Sequence, residues 1–187
     1  MTRLPKRKQI RLKNYDYSLP GWYYITICTQ DREQLFGEIM NGKMILNEFG
    51  KIINKTIQFL PKRYPPIDLD IYQLMPNHLH MIIVINPPPV RAIHESPVMI
   101  HAHVRAHHDT PLRNKRQLLS KCIGYFKMNT AKHINQLRNI SGRPVWQRNY
   151  YEHIIRDEES LNKIREYIQL NPQMWKRDRN NPEKIKN

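Results

Sequence analysis

The residues best equipped for chemistry are His78 and His80, in the stretch Leu74-Met75-Pro76-Asn77-His78-Leu79-His80-Met81-Ile82-Ile83-Val84-Ile85-Asn86-Pro87. Successive strand side chains point to opposite faces, so this i, i+2 spacing aims both imidazoles to one side of a strand, where two rings could hold a metal ion. Taken alone, a His-x-His pair is also an ordinary strand-end feature. The apolar run Met81 to Ile85, closed by Asn86 and a proline triplet, predicts a strand buried on both faces at a sheet centre, with the histidines where it leaves the core.

A second chemical group comes from Tyr167 and Asn171. The segment from about Glu158 to Leu170 predicts a helix that buries Leu161, Ile164 and Ile168, is capped by Asp157, and carries Glu158 and Glu159 where they complement its dipole. At 100° per residue, Tyr167 and Asn171 lie one turn apart on a line beside the apolar stripe, and Pro172 ends the helix. Two imidazoles and one neutral amide oxygen would leave the charge of a divalent ion uncompensated and positions open for phosphate oxygens. Free tyrosine is only about 0.1% phenolate at neutral pH, a deficit of about 4 kcal/mol that an adjacent cation can help supply. Tyr150 and Tyr151 compete with Tyr167 for such a role, and any of the three could instead be a packing residue.

The elements that must position these groups follow from local patterns. Trp22 to Thr29 is aromatic and β-branched, a strand signal. Leu35 to Ile39 and Lys43 to Leu46 flank Asn41-Gly42, a dipeptide that favours a primed hairpin turn. Asn47 caps a helix with Phe49, Ile52, Ile53, Ile57 and Leu60 at helical spacing, predicted to end before Pro61. Ile67 to Leu74 predicts a strand that reaches the histidines either as one bent strand or as half of a hairpin. Leu118, Leu119, Cys122, Ile123, Phe126, Ala131, Ile134 and Leu137 predict an amphipathic helix ringed by Lys115, Arg116, Lys121, Lys127 and Lys132. Val145-Trp146-Gln147 with Tyr150, Tyr151 and Ile154 predicts a final strand.

At 187 residues the chain is one domain with tails, large enough to bury a core unaided. We expect a basic arm over 1–20, a domain over 21–175 and a basic tail over 176–187. The Pro- and His-rich stretch 86–116, with its degenerate Val90-Arg91-Ala92 and Val104-Arg105-Ala106 repeat, is expected to be a mobile insertion. Cys28 and Cys122 are distant and form no CxxC pair, which suggests a reducing cytosol and argues against a zinc ribbon. No apolar run is long enough to span a membrane. A net charge of +15 draws polyanions, and nucleic acid is the commonest. Arg11 and Lys13 in the arm, with Lys121, Lys127 and Lys132 on the helix, are the expected phosphate contacts.

Together, Met75-Pro76-Asn77-His78-Leu79-His80, Val145-Trp146-Gln147, Glu152-His153-Ile154-Ile155-Arg156 and Tyr167-Ile168-Gln169-Leu170-Asn171-Pro172 resemble the REP-associated tyrosine transposases, single-tyrosine members of the HUH (His-hydrophobic-His) superfamily. The resemblance implies a ferredoxin-like α+β domain, an antiparallel sheet with helices packed on it and the nucleophile on a late helix. It also implies His78 and His80 as metal ligands, Asn171 at the place of a third ligand, Tyr167 as nucleophile, and Mg2+ or Mn2+ as cofactor. The implied reaction is cleavage and rejoining of single-stranded DNA at hairpin-forming palindromic repeats through a covalent 5′-phosphotyrosine, by a homodimer or a monomer. Two alternatives are a HUH replication initiator or relaxase-type nickase, which would share these residues, and a non-catalytic nucleic-acid-binding module on a ferredoxin-like sheet, which would be indifferent to EDTA.

Overall fold

The structure is a computed structural model that describes residues 15–88 and 117–182. Four strands form the main antiparallel sheet: β1 (Gly21–Cys28), β4 (Ile67–Met75), β5 (His78–Ile85) and β6 (Tyr151–Ile155), in spatial order β4-β5-β1-β6. With helices α1 (Glu48–Arg63) after β1 and α2 (Leu118–Leu137) after β5, this is the ferredoxin-like α+β arrangement. A small hairpin, β2 (Gly37–Met40) with β3 (Lys43–Leu46), is inserted before α1, and helix α3 (Glu158–Leu170) follows β6.

Strand parity distributes the side chains. Ile25 and Ile27 of β1, and Leu79, Met81, Ile83 and Ile85 of β5, belong to the large core with Ile53, Ile57 and Leu60 of α1 and Leu119, Ile123 and Phe126 of α2. The alternate positions, Trp22 and Tyr24 of β1 and Ile82 of β5, belong to a second, smaller cluster with Leu161, Ile164 and Ile168 of α3. His78 and His80 share the parity of Ile82, so they open on the α3 side. The sheet is therefore covered by α1 and α2 on one face and by α3 on the other, the face on which the histidines open.

Local devices set the element ends. Asn41 and Gly42 both have positive φ, 50° and 72°, in the tight β2–β3 turn. Asn47 Oδ1 accepts from the Gly50 N–H at 3.0 Å, and Asp157 Oδ1 accepts from the Ser160 N–H at 2.7 Å, capping α1 and α3. The link from β4 to β5 is a hairpin turning at Pro76-Asn77, one of the two alternatives left open by the sequence.

Two expectations are corrected. Helix α1 does not stop before Pro61 but runs through it to Arg63. Proline there forfeits one backbone bond in the last turn, which burial of Ile57 and Leu60 outweighs, and the Tyr64 N–H to Leu60 O bond closes the end. Trp146 makes only an isolated bridge to Thr29, and the last strand begins at Tyr151. The indole is instead a core element: its Nε1–H donates to Thr130 Oγ1 at 2.8 Å and its ring packs on Phe36 and Phe126. Most of the arm and the 89–116 part of the insertion lie outside the described residues. From 176 to 182 the expected tail belongs to the folded body, with Asp178, Asn180 and Asn181 buried. No helix among the described residues is long and apolar enough to cross a membrane.

Ile168 ties α3 to the small cluster, and truncating it leaves a hole that few neighbours can refill. Ile168→Ala is expected to cost about 2–5 kcal/mol, read by urea denaturation, whereas Gln169→Ala on the exposed side should stay within about 0.5 kcal/mol of wild type.

Candidate active site

His78 and His80 are fully buried and face each other, Nε2 to Nε2, at 3.0 Å. Each ring is held from behind. The Asn77 amide donates both N–H groups, to Arg32 O at 3.0 Å and Asn180 O at 2.7 Å, so its Oδ1 is the atom turned to His78 Nδ1 at 2.8 Å. An amide oxygen only accepts, so Nδ1 of His78 carries the proton and Nε2 presents a lone pair. His80 Nδ1 lies 2.8 Å from Tyr24 Oη and 2.9 Å from Thr26 Oγ1, and the Tyr24 ring stacks on the imidazole. Because hydroxyls donate or accept by rotation, His80 can carry its proton on either nitrogen.

Burial, reinforced by the positive charge of Arg179 and Arg32, lowers the pKa of His78 to about 3. Burial likewise holds His80 well below the usual imidazole range, with His78 adding to the effect. Both rings are neutral, as metal ligation requires.

Tyr167 and Asn171 reach the same place from α3. Tyr167 Oη lies 3.5 Å from His80 Nε2, its ring edge-on to the imidazole at a centroid separation of 5.3 Å. The phenol is half-buried, and desolvation raises its pKa, as does the Asp178 carboxylate, while a hydrogen bond from Asn171 and the charge of Arg179 pull the other way. Asn171 Nδ2 donates to Asp178 Oδ2 at 3.2 Å, and its buried Oδ1 has no hydrogen-bond partner among the described residues. Asp178 Oδ2 is 3.9 Å from His78 Nε2, and ligand atoms of His78, His80 and Asp178 all lie within 4.8 Å of one another.

These residues fit a divalent cation. The 3.0 Å between the two Nε2 atoms matches neighbouring ligands each about 2.1 Å from one ion. An ion would displace one shared proton, with the Tyr24 and Thr26 hydroxyls turning from donors into acceptors. The orphaned Asn171 Oδ1 supplies a further oxygen donor at no cost in existing hydrogen bonds. Imidazole with oxygen donors suits Mn2+, Mg2+ and, in a purified sample, Zn2+, Ni2+ or Co2+.

Of the residues singled out in the sequence, His78, His80, Tyr167 and Asn171 converge. Tyr151 lies 40% exposed on edge strand β6, its ring 6.1 Å from that of Tyr24. Tyr23 and Trp146 are in the core. Lys121 and Lys132 are exposed on α2, across the sheet from the histidines. Lys127 turns inward, its ammonium donating to the Gln147 and Arg148 carbonyl oxygens at 2.5 and 2.9 Å. Arg11 and Lys13 lie outside the described residues. Asp178, Arg179 and Asn77 went unassigned in the sequence. Asp178 and Arg179 sit in an aperiodic basic segment with no local signal, whereas Asn77 was legible as a polar residue between a proline and the first histidine.

No family model matches the chain. An uncharacterized protein of Haemophilus influenzae is 39% identical over 172 residues, covering 92% of this chain and 91% of that protein. A second Haemophilus influenzae protein, provisionally described as a REP-associated tyrosine transposase, is 25% identical over 163 residues, 86% of this chain and 76% of the relative. Among solved structures, a REP-associated tyrosine transposase bound to a REP hairpin shares the fold with a TM-score of 0.50 and 15% identity, over 88% of this chain and 73% of that one.

Two outcomes follow from the way the imidazoles are held. The double variant Tyr24→Phe, Thr26→Val removes both partners of His80 Nδ1 and should weaken Mn2+ binding about 10–100-fold, measured by titration with paramagnetic detection of free ion. In metal-free protein the unfolded chain gains protons near pH 6.5 while folded His78 resists to about pH 3. Stability is therefore complete above the unfolded value and lost as pH falls below it. Urea unfolding in EDTA at about pH 7.5 and about pH 5 should show this loss, and His78→Gln should reduce it.

Proposed function

We propose that the chain is a REP-associated tyrosine transposase, which cleaves and rejoins single-stranded DNA at hairpin-forming repeats with Tyr167 as the nucleophile. The observation that carries this reading is the meeting of Tyr167 Oη with His80 Nε2 at 3.5 Å, beside the unpartnered Asn171 Oδ1. The hairpin named for the structural relative supports a repeat hairpin as substrate here.

In this reading Tyr167 Oη attacks phosphorus as the bond to the 3′ oxygen breaks. The phenol gives up its proton, the leaving 3′ oxygen takes one up, and a 5′-phosphotyrosine ester results. One ester replaces another, so a second strand's 3′-OH can reverse the step and join new ends without ATP. His78 and His80, with Asn171 and Asp178, would hold the divalent ion, Mg2+ or Mn2+. When bound, it supplies Lewis-acid polarisation of the phosphate and a counter-charge to the phenolate. Asn77, Tyr24 and Thr26 keep the imidazoles aimed, and Asn171, one turn beyond Tyr167, keeps its buried amide oxygen free for the ion.

Lys121 and Lys132 are on the far side of the sheet, where they suit phosphates of a hairpin stem held away from the cleaved strand. Arg11 and Lys13 are proposed to add to this grip. Lys127, bonded to two carbonyl groups, contributes through the fold.

A labelled hairpin oligonucleotide with a single-stranded flank, incubated with the protein and Mn2+, should give a covalent band that survives denaturing electrophoresis. EDTA and Tyr167→Phe should each reduce that band to background. An adduct retained by Tyr167→Phe, with the label mapped to Tyr150 or Tyr151, rejects the assignment.

A further inference from the structure

A cleft of about 580 Å3 lies against the exposed side of α3 and shares Tyr167 as one wall with the candidate active site. Its floor is apolar: Leu170 and Met174, one turn apart, are 41% and 44% exposed. At the outer end Lys163 is ion-paired with Glu159 across one turn, and Glu166 adds a negative charge. At the inner end, beside the phenol, stand Arg179, exposed, and Asp178, whose carboxylate is turned inward to the Asn171 amide and the Asn180 N–H. An anion is thus favoured at the Tyr167 end and an apolar plane along the floor.

Resting on the tyrosine reading above, we infer that this cleft is a nucleotide subsite. It seats the unpaired base that adjoins the scissile phosphate on Leu170 and Met174, with the phosphate beside Arg179.

The chemistry favours this occupant over others. Its volume falls within the ~300–1,000 Å3 of small-molecule sites, enough for one nucleotide. An aliphatic floor accepts the flat face of a base, which costs little to desolvate once the base is already unpaired. A free apolar ligand would not account for a guanidinium at the end nearest the phenol. Arg179 acts on the site as well as on the cleft: burial raises the Tyr167 phenol, and the guanidinium counters that rise. The subsite would select the base next to the cut through contact with the floor, while Arg179 grips the phosphate of any sequence.

The test uses the full chain with Mn2+ and a library of single-stranded oligonucleotides randomised over a central segment. Covalent adducts are recovered and sequenced, so that base composition is read at each position relative to the cut. Wild type should prefer one base, or purines over pyrimidines, at a position adjoining the cut. Leu170→Ser with Met174→Ser should reduce that preference at least threefold while preferences elsewhere persist. Arg179→Gln should lower adduct yield for all sequences alike and leave the preference in place. All three positions are exposed, so melting temperatures close to wild type will certify folding. No preference beside the cut, or one that survives the double substitution, overturns the subsite. A wild-type chain that forms no adduct, or an adduct that persists in Tyr167→Phe, fails differently and removes the tyrosine reading beneath it.

Discussion

Two neutral imidazoles placed Nε2 to Nε2 at 3.0 Å, each gripped from behind on its Nδ1 side, form the constraint around which the site is arranged. Such a pair cannot rest without something between the facing nitrogens, whether a shared proton or a cation. Burial removes the option of protonating both, because a second charge so close to the first in a water-poor setting is expensive. Asn77 settles the proton of one ring through its own two carbonyl partners, and the hydroxyls of Tyr24 and Thr26 leave the other adjustable. One ring is fixed and one can switch, so the pair is able to exchange a proton for a metal ion.

The charge around this pair is balanced locally rather than by the protein's large net positive charge. Asp178 brings a carboxylate within 3.9 Å of His78 Nε2, and Arg32 and Arg179 bring opposing charge that depresses the His78 pKa after burial has done most of the work. Asp178 itself is buried but not stranded, since the Asn171 amide and the Asn180 N–H donate to it. The residues from 175 to 181 thus close the site from a direction that neither the sheet nor α3 supplies. Arg32 Nη1 donates to Arg179 O at 2.7 Å and Asn77 Nδ2 to Asn180 O, so the segment is stitched to the β4–β5 turn and to the loop after β1.

Much of this was legible in the residue order because it rests on periodicity. The parity of His78, His80 and Ile82, the stripe Leu161-Ile164-Ile168 and the caps at Asn47 and Asp157 are properties of single elements, and each was recovered at its expected place. Tertiary context overrode the local signal at Pro61 and Trp146. Proline is costly in a helix interior but tolerated in a last turn whose apolar side is already buried. Trp146 has strand-like neighbours, yet its indole is worth more plugged between Phe36, Phe126 and Thr130 than in a ladder. Asp178 had no pattern to betray it, because the place of a side chain on irregular chain depends on where that chain folds back.

What remains is the roll of α3, which decides whether Tyr167 meets the histidines at all. Its apolar stripe alone permits some rotation, since the small cluster holds only a handful of aliphatic contacts. Arg165 lies on the opposite flank of the stripe from Tyr167 and Asn171. It donates through Nε and Nη2 to both carboxylate oxygens of Asp70, at 2.8 and 2.6 Å, and covers the Trp22 ring. An irregularity between Leu69 and Tyr72 puts two residues of β4 opposite one of β5, which lets Ile71 join the α3 cluster while Asp70 takes the guanidinium. A planar, two-bond clamp resists rotation as one apolar contact cannot. A roll of 20° about an axis roughly 9 Å from the phenolic oxygen would carry that oxygen roughly 3 Å, enough to lose His80 altogether. The bulge on an edge strand therefore acts on the candidate site from across the helix, by fixing the angle at which the tyrosine is presented.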